Sequence, residues 1–171
     1  MQIAVGVALL LLAAAVVLLF AMIGELGARV GGQGAGDGAG VEVEPVDGAR
    51  IGTAPSVWPG RLAEVPSAGR AVVLSLSTSC GSCRRVAEQL AEGDERRYAI
   101  ALASPDPATG ADFLASYHLT DLPHHVDVGG QWLRGELGVQ HSPAALVFRD
   151  GELVSASVFT DVRALAVANA V

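Results

Sequence analysis

Apolar and polar positions divide this chain into stretches of distinct rhythm. From Ile3 to Ile23 the run is apolar without interruption, with Gly6 its one weak helix former. About 20 apolar residues span a bilayer as a helix. The apolar region of a secretory signal is shorter, about 7–15 residues, and follows a charged start. The run therefore reads as an uncleaved transmembrane anchor within residues 1–25, with a cleaved signal as the alternative. Gly31–Gly40 is too dense in glycine to hold a fold and reads as a flexible tether. Residues 26–60 are assigned to a Gly/Pro-rich linker and 61–171 to a globular domain. The stretch from Val41 to Gly69, with Pro45, Pro55, Pro59 and Pro66, is mixed and suits a short strand or loop wrapping onto that domain.

Beyond Arg70 the periods sharpen. Ala71–Ser77 is a short apolar run that suits a central strand. Thr78–Ser82 reads as a turn. In Cys83–Ala91, residues Cys83, Val86, Ala87 and Leu90 share one helical face, and Gly93 is a natural stop. Tyr98–Ala103 reads as a strand and Ala108–Tyr117 as a helix after Pro105 and Pro107. Val126–Val128 reads as a short strand, Gln131–Leu137 as a short helix and Ala144–Phe148 as a strand. Asp150-Gly151 marks a hairpin turn returning through Leu153–Phe159. Asp161–Ala170 reads as a closing helix with Thr160 as candidate N-cap. Strands alternating with helices imply crossovers and a parallel sheet, to which the late hairpin adds antiparallel pairing.

Charge and cysteine count narrow the chemistry. The net charge is -7 and every basic side chain is Arg. An acidic surface repels phosphate backbones, which argues against nucleic-acid partners. Two cysteines cannot build a disulfide-rich scaffold, and a structural zinc site normally takes four ligands. The Gly31–Gly40 tract is too repetitive for a phosphate-binding loop and precedes no clear helix, so no bound cofactor is expected.

The remaining feature is Cys80-Gly-Ser-Cys83. The attacking species in disulfide exchange is the thiolate, and a free thiol has a pKa near 8.5. A helix start offers unpaired N–H groups and about half a positive charge. Cys80 at that start is the candidate nucleophile. Cys83, a turn later on the buried face, is the candidate resolving thiol. Arg84 and Ser82 are candidates for tuning the Cys80 thiolate, one by charge and the other by a hydrogen bond. His141 is a third, because it precedes Ser142-Pro143. The bland reading leaves both Arg84 and Arg85 solvated. A competing chemistry is soft-metal binding, Cu(I) or Zn(II), by Cys80, Cys83 and His141. A third reading is a catalytically silent tethered interaction domain. His124-His125 falls in a predicted loop after Pro123, and Trp58 and Trp132 read as packing residues.

Roughly Ala71–Ala170, with the N-terminal anchor, resembles the thioredoxin-like family, in particular membrane-tethered reductases of the TlpA and ResA type. It is also similar to the methylamine-dehydrogenase accessory thioredoxins. Val73–Arg84 and Leu137–Leu153 carry the likeness. It implies a three-layer α/β/α fold with a mixed central sheet, preceded by one transmembrane helix. It implies that Ser142-Pro143 is a cis-proline loop facing the cysteines, where backbone groups pair with a substrate chain. It further implies a disulfide-containing protein substrate, a membrane or soluble electron donor, and a domain on the extracytoplasmic face, although Arg29 after the apolar run counts toward the opposite orientation. Three positions depart from the family. Ser79 stands where many relatives carry Trp, Gly81-Ser82 where the middle dipeptide usually contains Pro, and Leu74 where thioredoxins proper carry a buried Asp. These departures point to a narrow-substrate partner rather than a general reductase.

Overall fold

The computed structural model describes residues 44–93, 97–163 and 165; the predicted anchor and the Gly31–Gly40 tether lie outside the described residues. Among the described residues, no helix is long and apolar enough to cross a membrane.

Six strands form one sheet in the order β1-β6-β5-β2-β3-β4. Their ranges are β1 Glu44–Pro45, β2 Arg70–Ser77, β3 Tyr98–Ser104, β4 His124–Val128, β5 Ala144–Arg149 and β6 Glu152–Val158. β2, β3 and β4 run parallel, whereas β5, β6 and β1 join by antiparallel pairing. The sheet is mixed, as the alternation of elements implies.

The central strands are apolar on both faces because both are covered. Leu74, Leu76, Ile100 and Leu102 face one core, closed by helices α1 (Gly81–Glu92) and α2 (Pro107–Ser116). Val73, Ala99, Ala101 and Leu146 face the other, closed by the 3-10 helix Gly60–Ala68 and by α3 (Gln131–Leu137). Three layers result. α1 buries Cys83, Val86, Ala87 and Leu90 while Arg84, Arg85 and Glu88 stay exposed. Trp58 and Trp132 pack as expected: Trp58 lies 4.9 Å from Phe148 and 5.9 Å from Trp132, centroid to centroid.

Several boundaries differ from the sequence reading. α1 begins at Gly81 rather than Cys83, because Cys80 itself is the N-cap. β4 begins at His124, so His124 and His125 are strand residues paired with Ile100 and Ala101, not loop residues. Their polarity hid an edge strand. Residues 44–60, assigned to the linker, pack onto the domain. Val46 is buried and donates its N–H to the Ala156 carbonyl at 3.0 Å. The Arg50 N–H reaches the Leu137 carbonyl at 2.8 Å, and the Glu136 carboxylate accepts from the Ser56 N–H at 2.7 Å. At the C-terminal end, helical residues begin at Val162. Asp161 rather than Thr160 supplies the cap, accepting the Arg163 N–H at 2.8 Å. The part of the closing helix beyond residue 165 lies outside the described residues.

Candidate active site

β2 delivers its C-terminal end to a turn at Thr78-Ser79, and the chain enters α1 with Cys80 as its first flanking residue. The Cys80 sulfur acts as the capping acceptor. The Cys83 N–H donates to it at 3.2 Å, and the Ser82 hydroxyl lies 3.1 Å away. Most helices use an oxygen here; in this chain a sulfur takes its place.

The two thiols are set apart by their surroundings. Cys80 is half-buried and Cys83 fully buried. Partial burial works to raise the Cys80 pKa. Hydrogen bonds from the Cys83 thiol and the Ser82 hydroxyl, with the backbone N–H groups of both residues, outweigh it and leave the pKa below the ordinary thiol value. Burial pushes Cys83 far up, and its hydrogen bond to Cys80 adds to the effect. Ionisation is thus directed to the outer sulfur while the inner one holds its proton.

The Ser142–Pro143 peptide bond is cis, as the resemblance implied. The Cys80 thiol points at the Ser142 carbonyl, 3.5 Å away. Ser75, almost wholly buried in β2, donates to the His141 carbonyl at 3.3 Å and lies 3.3 Å from the Ser142 hydroxyl. A buried hydroxyl normally has a partner, and here it ties β2 to the loop facing Cys80. Sequence reading passed over Ser75, although a lone polar residue between Leu74 and Leu76 was its visible signal.

Not every candidate converges. Arg84 meets the site through its backbone N–H, 3.4 Å from the Cys80 carbonyl, while its side chain is exposed. His141 is exposed and contributes its carbonyl. Among the described residues no three His, Cys, Asp or Glu side chains gather as a metal site, so the Cys80–Cys83–His141 triad is not assembled.

A cleft of about 320 Å³ opens beside Cys80. Ser75, Ser77 and Ser142 line it from the sheet side, and Arg134 and Gln140 from α3 and the segment after it. The wall formed by α3 is held from within. The buried Asp127 carboxylate accepts the Trp132 and Leu133 N–H groups, each at 2.9 Å. Gly129 and Gly130, both at φ +66, make the turn that allows this.

No family model and no curated protein matches the chain. Solved structures do. A putative protein disulfide isomerase from Bacteroides thetaiotaomicron aligns with a TM-score of 0.50 at 15% identity, over 73% of this chain and 89% of that one. The fold is thioredoxin-like. A putative thiol:disulfide interchange protein DsbE from Chlorobium tepidum aligns at 16% identity and a TM-score of 0.48, over 75% of this chain and 94% of that one. StoA from Bacillus subtilis aligns at 15% identity and a TM-score of 0.44, over 60% and 83%. In this thioredoxin-like domain, Cys80 and Cys83 occupy the turn and first helix after the central strand β2.

Proposed function

We propose that the chain is a membrane-tethered thiol–disulfide oxidoreductase. Cys80 attacks a disulfide of a partner protein and Cys83 resolves the mixed disulfide. The observation that carries this reading is the capping of the Cys80 sulfur by the Cys83 N–H, with the buried Cys83 thiol directly behind it. A thiol whose charged form is stabilised in that way ionises at lower pH than a free thiol, and the thiolate is the nucleophile. The second thiol attacks only once the first is bonded to substrate. The fold neighbour described as a putative protein disulfide isomerase supports the same substrate class for this chain. A membrane or soluble electron donor recycles the pair. The apolar run from Ile3 to Ile23 serves as the tether, placing the domain on the extracytoplasmic face, where disulfides form.

Equilibrating the full chain across a glutathione series and mass-tagging its free thiols tests the reading. The expected result is loss of both tags together, in one reversible two-electron transition. Two thiols that stay tagged throughout refute the assignment. A reporter fused at the C-terminus tests the orientation.

A further inference from the structure

Charge in the cleft beside Cys80 runs against charge on the whole chain. The net charge is -7, yet among the described residues lining the cleft the one charged side chain is Arg134. Hydroxyls of Ser75, Ser77 and Ser142 and the amide of Gln140 supply the other polar groups. The acid of the same wall, Asp127, is buried, and its oxygens are taken by backbone N–H groups. Arg134, exposed on α3, donates to the Gly129 carbonyl at 2.6 Å. A guanidinium has five N–H donors in a planar fork, a shape that matches a carboxylate. At about 320 Å³ the cleft falls at the lower end of small-molecule sites.

We propose that this cleft receives a carboxylate-bearing group attached next to the disulfide sulfur that Cys80 attacks, with Arg134 as the specificity-determining residue. The proposal rests on the redox reading of Cys80 and names its substrate class. In the first step the Cys80 thiolate forms a bond to one substrate sulfur, the S–S bond breaks, and the other sulfur leaves as a thiolate that takes a proton from water. The retained half then lies in the cleft. In the second step Cys83 gives its proton to water and attacks the Cys80 sulfur, and the retained half leaves as a thiolate. The substrate gains two electrons and the cysteine pair loses two. Two sources carry this chemistry: a low-molecular-weight thiol with carboxylates, and a partner cysteine flanked by Asp or Glu.

The test is the rate at which disulfides oxidise the reduced full chain, each rate divided by that of the same disulfide with dithiothreitol. The probes are oxidised glutathione (anionic), bis(2-hydroxyethyl) disulfide (neutral), cystamine (cationic), and cystine-linked peptides with Glu or Gln beside the cysteine. The expected order is anionic over neutral over cationic, opposite to what the overall charge would impose. Arg134→Gln is expected to lower the anionic-to-neutral ratio by about fivefold to tenfold, and Arg134→Lys to retain part of it. Because the readout is a ratio, a general loosening of α3 cancels. A larger effect on glutathione assigns the small-thiol source; a larger effect on the Glu peptide assigns the partner-protein source. Normal oxidation with a cationic preference, or with a ratio indifferent to Arg134, overturns this proposal alone. Failure of every probe to oxidise the pair overturns the redox reading with it.

Discussion

The amide nitrogen of Cys83 lies 3.2 Å from the sulfur of Cys80, so the residue whose thiol is buried also stabilises its partner's charge through its backbone. This one contact couples the two cysteines before any disulfide forms.

The first consequence is a pH profile. Hydrogen bonds from Cys83 and Ser82 outweigh the burial of Cys80 and lower its pKa. A lowered pKa means thiolate at lower pH. Alkylation of Cys80 should therefore reach its half-maximal rate below about pH 8.5, the free-thiol value. Ser82→Ala should move the midpoint upward, because one stabilising partner is lost. Stopped-flow iodoacetamide labelling followed by peptide mapping reads both.

Cys83 gives the opposite sign. Its native pKa is raised by burial, so the folded state holds a proton that the unfolded state releases. Stability is unaffected below the unfolded thiol pKa and falls as pH climbs above about 8.5, at no more than about 1.4 kcal/mol per pH unit for one proton. Urea unfolding of the reduced chain between pH 7 and 10 should show this loss. Cys83→Ala should flatten it.

The extent to which this was legible from sequence follows from where the signals lie. β2, β3, β5 and α1 were readable because their apolar periods are clean, as in Val73–Leu76 and Cys83–Leu90. The start of β4 was not, because His124 and His125 on an edge strand carry no apolar alternation. Residues 44–60 read as a loop or short strand wrapping onto the domain but could not be placed, because their ties to it are long-range hydrogen bonds, Ser56 to Glu136 and Val57 to Trp132. The cysteine pair and Ser142-Pro143 were found by spacing and resemblance. Ser75, Asp127 and Arg134 were not, since their roles depend on which strand ends the topology brings together.

Asp127 holds the cleft wall, and its removal should be felt. Asp127→Ala leaves the Trp132 and Leu133 N–H groups without their acceptor, one of them in a buried setting. A loss of about 2–4 kcal/mol in urea unfolding is expected. Asp127→Asn should fall between, since its one carbonyl oxygen cannot replace both carboxylate oxygens.

Gly110 of α2 packs against Val126 of β4 with no room for a side chain. A methyl group added there overlaps the Val126 side chain. Overpacking costs about 1–3 kcal/mol against a helix-propensity gain of up to about 1, so Gly110→Ala should destabilise the domain by about 1–2 kcal/mol. Combining it with Val126→Ala should recover part of that loss if the overlap is the cause.

The division of labour between the two cysteines is tested most directly by trapping. The full chain carrying Cys83→Ser is incubated with a disulfide substrate, quenched with acid and mapped by mass spectrometry. A stable mixed disulfide on Cys80 is expected, released in the wild-type chain by Cys83. No adduct on Cys80 in the Cys83→Ser chain, alongside an adduct on Cys83 in the Cys80→Ser chain, would reverse the two roles.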